Sequence, residues 1–394
     1  MNAKEFLAGE KKLGFGCLRL PHLTPEDPSD VDVPLMKRMT DEFLAAGFRY
    51  FDTAYSYLNY KSELFVKQAL TSRYPRDRYI LTTKLPCLEL KGDSDPSVYF
   101  DEQLEKCGVE YFDFYLLHSL NASVCQLADK LGCFQELQRR KAKGQARFVG
   151  FSFHDSADAL DAILAQHPEI DVVQIQLNYL DWENPVIQSK ACLEVCRRHG
   201  KPVIVMEPVK GGGLAKVPQA ARDLMEARRP GASPASWALL FAASQPGVSM
   251  VLSGMGDLEQ IQENASLMRN FEPLDEDEYQ TLWRCADIVR ASTAIPCTGC
   301  AYCTDVCPQR LPIPRYFALF NENKRDGWQA NAKKRYQDLT QIHAPAAACV
   351  GCRQCETKCP QHLAVADFMS QVSSQFDSTS REIPAKESVR PFLP

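Results

Sequence analysis

Two runs of cysteine carry the most specific chemistry in the sequence: Cys297, Cys300, Cys303 and Cys307 in CTGCAYCTDVCP, and Cys349, Cys352, Cys355 and Cys359 in CVGCRQCETKCP. Both follow C-x2-C-x2-C-x3-C-P, with 41 residues between the runs. Thiolate sulfur is a soft donor that suits zinc or iron, and a four-cysteine zinc site also uses C-x2-C pairs. Zinc would leave unexplained a third cysteine at the same step and a fourth before proline, twice over; that pattern suits 4Fe-4S clusters. Gly299 and Gly351 each stand just before a ligand, where a small residue lets backbone amides turn toward cluster sulfurs.

A second set is spread through the first third of the chain: Asp52, Tyr57, Lys84 and His118. Each alone reads as a cap, a rim residue or a structural histidine. Together they suit proton transfer to a carbonyl oxygen. A tyrosine of ordinary pKa near 10 needs a cation beside it to act near neutrality. Lys84 would be that cation, Asp52 would hold it charged and oriented, and His118 would place the substrate oxygen by a hydrogen bond.

These groups must be positioned by regular elements, and from residue 14 to about 269 an apolar run and an amphipathic stretch alternate eight times. The runs are GFGCLRL (from Gly14), RYFDTA (from Arg49), YILTTKL (from Tyr79), YFDFYLLHS (from Tyr111), ARFVGFSF (from Ala146), DVVQIQLNY (from Asp171), PVIVMEPV (from Pro202) and VSMVLSGM (from Val248). Such near-continuous apolar runs suit strands buried on both faces. Helices are expected at 33–47, 126–144 and 257–269, several closed by glycine. Eight strand–helix units in this length predict an α/β fold, a parallel (β/α)8 TIM barrel, with a doubly wound open sheet as the alternative. In the barrel, catalytic groups stand at the C-terminal strand ends, where Asp52, Lys84 and His118 fall.

After an acidic helix start at 272–292 the texture turns Cys- and Pro-rich. The expected organisation is a barrel over 1–292, a small α-helical iron–sulfur domain over 293–370, with two amphipathic helices between the cysteine runs, and a polar tail over 371–394. At 394 residues, 45% hydrophobic and net charge −5, the chain reads as globular, with no basic excess to suggest a nucleic-acid partner. The N-terminus has no apolar h-region, and no uncharged apolar run reaches about 18 residues. A cytoplasmic protein without a membrane partner is expected, and sixteen cysteines in such a chain point to metal or redox chemistry.

FDTAYSY, TTKL, YLLHS, GFS and QENA, in order on successive strand ends, resemble the signatures of the aldo-keto reductases. That is a (β/α)8 family that moves hydride between a nicotinamide cofactor and a carbonyl. The resemblance spans residues 12–270 and implies that Asp52, Tyr57, Lys84 and His118 are the catalytic tetrad. KSE at 61–63 resembles the branch with an iron–sulfur tail. The resemblance places Gly16 and Cys17 near the cofactor, and Ser152 and Gln174 on the nicotinamide carboxamide. It lays Glu207, Pro208, Gly211, Gly212 and Gly213 along the pyrophosphate, and Glu263 and Asn264 by the adenine.

There are two departures. Phe153, followed by His154, replaces the asparagine usual beside Ser152, and Gly254 and Gln260 stand where NADP-preferring members place cations. A phosphate without cations is poorly held, so NAD(H) ranks level with or ahead of NADP(H).

The cysteine runs resemble bacterial ferredoxins, in which the fourth cysteine serves the other cluster. This implies one cluster on Cys297, Cys300, Cys303 and Cys359, and the other on Cys349, Cys352, Cys355 and Cys307. Of the remaining cysteines, Cys87, Cys107, Cys125, Cys133, Cys192, Cys196 and Cys285 are expected to be small buried apolar residues. Cys17, at the expected cofactor mouth, is the exception.

The leading expectation is an oxidoreductase that reduces a carbonyl or oxidises an alcohol. It would be coupled to one-electron transfer through two 4Fe-4S clusters, with a ferredoxin or flavodoxin as electron partner. Hydride carries two electrons, so a converter is needed. A flavin would serve, but the sequence has no separate flavin fingerprint. The alternatives are a simple NAD(P)H-dependent carbonyl reductase with structural or redox-sensing clusters, a flavin-containing electron-transfer enzyme, and a sensor with a degenerate barrel.

Overall fold

The structure is a computed structural model that describes residues 1–24, 27, 29–325 and 330–377. Its contacts divide into two compact units, Met1–Ala291 and Ser292–Pro394.

In the first unit eight strands close into a barrel in sequence order, each parallel to its neighbours. They are β1 (Leu13–Gly16), β2 (Tyr50–Asp52), β3 (Ile80–Leu85), β4 (Phe112–Leu120), β5 (Ala146–Phe153), β6 (Val172–Gln176), β7 (Val203–Met206) and β8 (Val248–Ser253). β8 pairs with β1, Leu13 opposite Val251, which closes the sheet and excludes the open doubly wound alternative.

The period of two along each strand explains the interior. Tyr50, Ile80, Phe114, Leu116, Phe148, Val172, Ile204, Met250 and Leu252 form one buried cluster with Ala3 and Leu7 of the N-terminal helix Ala3–Ala8. That helix plugs the lower end, and Phe6 meets Phe148 at 5.2 Å between ring centroids. Two or four residues further along the same strand faces come Asp52, Lys84, His118, Ser152 and Gln174, all buried. The inward positions thus turn from apolar to polar toward the C-terminal strand ends, where barrel enzymes carry their chemistry.

The helices begin at side-chain caps, as at Asp32 before Val33–Ala45 and Asp257 before Leu258–Arg269. The helix expected over 126–144 is instead two, Ala122–Lys130 and Cys133–Ala142, broken where Gly132 takes φ +70°. A glycine adopts this left-handed conformation without the steric penalty of a side chain, and the chain turns there.

The second unit is helical. Short helices Tyr302–Asp305 and Gln354–Thr357 sit inside the two cysteine runs, and Ile313–Arg325 and Ala330–Thr340 lie between them. The last helix, Val365–Phe376, crosses residue 371, so the expected tail does not begin there. Residues 378–394 lie outside the described residues. Leu311, Ile313, Tyr316, Phe317, Met369 and Val372 form its core, and Tyr336 stacks on Phe376 at 4.7 Å. Among the described residues no helix is long and apolar enough to cross a membrane.

Gly150 of β5 shows how tightly the barrel is closed: a Cβ there would stand 2.2 Å from the Val172 carbonyl oxygen on β6. Backbone cannot give way as a flexible side chain can. Gly150→Ala is expected to cost about 3 kcal/mol or more, read as a lowered thermal midpoint by circular dichroism. Gly213→Ala, where a Cβ meets nothing within 4 Å, should leave that midpoint unchanged.

Candidate active site and cysteine sites

The barrel mouth is organised by an ion pair. Lys84 Nζ donates to Asp52 Oδ1 at 2.6 Å, to the Thr53 carbonyl at 2.8 Å and to the Tyr57 hydroxyl at 3.3 Å. Both charged side chains are almost wholly buried. Gln174 donates to the second Asp52 oxygen at 3.1 Å. The carboxylate is therefore satisfied on both oxygens, and the ammonium uses its three donors within the site.

Tyr57 and His118 complete the group, with ring centroids 5.5 Å apart in an edge-on arrangement. His118 reaches this place through an irregularity of β4 against β5 between Leu117 and Leu120, where Ser119 takes φ +57°. Bulges of this kind re-aim a side chain. The structure thus brings together all four residues singled out for proton transfer.

Electrostatics assign protonation. Burial, then the Asp52 charge, pushes the Tyr57 phenol well above its ordinary 10.0. Burial, with Lys84 and His154, holds His118 well below 6.5. Burial raises the Asp52 carboxyl, against the pull of Lys84. At neutral pH the mouth therefore presents a protonated phenol and a neutral imidazole, a proton donor and a hydrogen-bond donor for one oxygen.

A buried layer beneath the site was not legible in the sequence. Glu63 accepts from Thr83 at 2.6 Å and Gln103 at 2.7 Å, and Gln103 also donates to the Lys84 carbonyl at 3.0 Å and accepts from the Tyr115 hydroxyl at 2.8 Å. Ser62 lies 2.8 Å from the Thr53 hydroxyl and donates to the Cys17 carbonyl at 3.0 Å. The KSE stretch therefore braces the strand ends that carry Asp52 and Lys84. Its only visible signal was two polar residues directly after the tyrosine segment. Between Tyr57 and this brace, Leu58, Asn59 and Tyr60 all take positive φ, which costs each roughly 1–2 kcal/mol.

The expected cofactor residues divide. Gly16 approaches β8, with an added Cβ 3.4 Å from the Ser253 carbonyl. Cys17 is fully buried, its thiol raised by burial and Asp52, and its amide donates to the Asp52 carbonyl. Ser152 is buried and accepts from the Ser119 amide at 2.7 Å. Gln174 is already engaged with Asp52. Pro208 is buried, and Gly211 and Gly212 take positive φ in a 3-10 turn, Lys210–Ala215. Added Cβ atoms at Gly212 and Gly213 would meet nothing, so a phosphate could approach this backbone closely.

Glu207 stands just before this turn. Its mostly buried carboxylate pairs with Arg19 at 3.3 Å, burial raises it, and its charge is among the causes that raise Tyr57. Gly254 lies under the Arg19 stem. Gln260 is spent on its own helix start, accepting from the Gly256 amide and donating to Asp257. Glu263 accepts from Ser236 at 2.9 Å, and buried Asn264 donates to Ser253 of β8 at 3.1 Å.

In the second unit the cysteines surround two voids. One is lined by Cys297, Cys300, Cys303 and Cys359. The other is lined by Cys307, Cys349, Cys352 and Cys355. Each void therefore takes three sulfurs from one run and the fourth from the other. Four soft thiolate donors around each void are the donor set that an iron–sulfur cluster takes. The backbone repeats as well: Gly299, Ala301 and Arg310 in the first run and Gly351, Arg353 and His362 in the second all take positive φ, at matching positions after the first cysteine.

A parallel barrel with a tyrosine–lysine–aspartate–histidine mouth defines a (β/α)8 oxidoreductase. The aldo/keto reductase family model matches residues 12–287 and a 4Fe-4S dicluster domain matches 296–364; the chain belongs to the aldo/keto reductase family. It is 29% identical over 247 residues to an aldo-keto reductase of Mycolicibacterium smegmatis, covering 62% of this chain and 80% of that one. It is 26% identical over 259 residues to the L-galactose dehydrogenase of Arabidopsis thaliana, covering 60% and 79%. Among solved structures, an aldo-keto reductase of Klebsiella pneumoniae in complex with NADPH shares the fold, with TM-score 0.54 and 20% identity over 69% of this chain and 90% of that one.

Removing one partner of a buried ion pair strands the other charge. Lys84→Met is expected to cost about 3–5 kcal/mol, and Asp52→Asn in the same protein should recover a large part of it. Thermal midpoints of the two single variants and the double variant measure this; a double-variant loss equal to the sum of the two single losses would show that the pair is not coupled.

Proposed function

We propose that the barrel reduces a small carbonyl compound, or oxidises the corresponding alcohol. Tyr57 transfers the proton and His118 orients the substrate oxygen. The observation that carries this reading is the Tyr57 hydroxyl 3.3 Å from Lys84 Nζ, with that ammonium pinned by Asp52. Lys84 stabilises phenolate as the proton leaves, Asp52 keeps the ammonium charged, and neutral His118 donates to the same oxygen. A nicotinamide cofactor supplies the hydride. Ser152, the glycines at 211–213 and the end of β8 are the residues that would hold it; the Klebsiella pneumoniae structure of the same fold is in complex with NADPH. Among the described residues Gln260 is spent on its helix cap and Arg19 is paired to Glu207, which supports NAD(H) at least as much as NADP(H).

The eight cysteines would hold two 4Fe-4S clusters, one on Cys297, Cys300, Cys303 and Cys359, the other on Cys307, Cys349, Cys352 and Cys355. Such clusters supply one-electron transfer, and a ferredoxin or flavodoxin is the class of partner that would exchange electrons with them. The substrate is a small molecule.

Tyr57→Phe should lower turnover by about 10²–10⁴-fold with cofactor affinity unchanged; unchanged turnover would remove Tyr57 from the chemistry. Because Tyr57 is raised above 10.0 and His118 is lowered below 6.5, reduction should hold level from pH 6.5 to 10. It should fall only at higher pH, as Tyr57 loses its proton, or at lower pH, as His118 gains one. A break near 6.5 in the steady-state profile would contradict this assignment.

For the clusters, Cys303→Ser and Cys359→Ser should remove the same EPR signal and Cys307→Ser the other. In anaerobic stopped flow, NADH or substrate should bleach cluster absorbance. If neither does, and reduced ferredoxin drives no turnover, the coupling is lost and the barrel acts as a simple reductase.

A further inference from the structure

Three side chains suited to a metal converge between two helices on the outside of the barrel. Cys125 and Asp129 stand one turn apart on the helix Ala122–Lys130, and His167 follows the next helix, Ala157–Gln166. Their ligand atoms all lie within 4.8 Å of one another. His167 Nε2 is 3.1 Å from Asp129 Oδ1, and Cys125 Sγ is 4.0 Å from Asp129 Oδ2. Cys125 lies near the start of its helix and Asp129 near its end, and His167 caps the end of the other helix.

The histidine is set up as a ligand. Its side chain is 8% exposed, and its ring lies parallel on Phe134 at 3.5 Å, which fixes its orientation. Nδ1 is 3.2 Å from Glu169 Oε1. With Nδ1–H donating to that carboxylate, Nε2 carries a lone pair. Nε2 is buried and, although 3.1 Å from Asp129 Oδ1, makes no hydrogen bond. The Cys125 thiol donates to Asp129 Oδ2, a proton that a metal would replace. A carboxylate on the far nitrogen of a metal-bound histidine is a recurrent supporting contact. Gln166 gives Asp129 a comparable support, donating to Oδ2 at 3.1 Å.

We propose that Cys125, Asp129 and His167 form a zinc site that fastens these two helices together. A thiolate, a carboxylate and a neutral imidazole balance the two positive charges of zinc, so a buried site is left neutral. Water fills the fourth tetrahedral position. The thiol proton is released to solvent on binding. Cys125 is thus more than a small buried residue.

The test uses the full chain with its iron–sulfur content intact, incubated with zinc and desalted, with zinc and iron measured by mass spectrometry. Wild type should hold one zinc per chain with iron unchanged, and its thermal midpoint should exceed that of the EDTA-treated protein. Cys125→Ser and His167→Gln should hold none and show no such rise. Glu169→Gln, altering only the partly exposed support, should fold normally and bind zinc about 10–100-fold more weakly. The proposal is overturned if wild type holds no zinc, if zinc enters only as iron leaves, or if the Cys125 and His167 variants retain zinc as wild type does.

Discussion

The barrel mouth depends on one buried ion pair. Lys84 and Asp52 come from adjacent strands, and neither could be buried alone, since an isolated charge in a low-dielectric interior is prohibitive. Once paired, they fix much else. Lys84 reaches Tyr57 only because Asp52 and the Thr53 carbonyl take its other two donors. Gln174, expected on a cofactor amide, donates to the second Asp52 oxygen. The Glu63–Thr83–Gln103 network then fixes the strand ends that bear the pair. The hydroxyl is thus positioned by groups that cannot rearrange without exposing a buried charge.

The same pair explains why strain is tolerated beside it. Leu58, Asn59 and Tyr60 hold left-handed backbone without a glycine among them. Such a segment persists only when both ends are anchored. Upstream the anchor is Asp52–Lys84; downstream it is Ser62 and Glu63, and Tyr60 also packs edge-on against Tyr55. The strained turn lets a tyrosine five residues past a strand end point back over that strand.

Much of this was legible in sequence because it follows from periods. Alternation along a strand puts Asp52, Lys84, His118, Ser152 and Gln174 on the faces that carry Tyr50, Ile80, Phe114, Phe148 and Val172. The exchange of fourth cysteines implied by the ferredoxin resemblance matches the residues that line the two voids. What escaped lacks a local signature. The bulge at Ser119 and the left-handed run after Tyr57 use ordinary residues in conformations set by distant contacts. Gln103 meets Glu63 across 40 positions, and His167 meets Asp129 across two helices. The break at Gly132 was visible as a glycine, but apolar periodicity continued through it and hid the turn.

The two units order their functional groups by different physics. The barrel uses opposite charges in a closed, apolar sheet, an arrangement complete within the protein itself. The cysteine unit uses backbone: four non-glycine residues, Ala301, Arg310, Arg353 and His362, accept left-handed conformations at repeated positions. Each costs roughly 1–2 kcal/mol, and the helices around them are short. Hydrophobic packing of Tyr316, Phe317 and Met369 offsets part of that cost. Bonds from the thiolates are the other source, because ligand bonds formed only in the folded chain contribute directly to its folding free energy. The ordered barrel can therefore stand on its own contacts, whereas the geometry of the second unit makes sense chiefly as one shaped around what its cysteines bind.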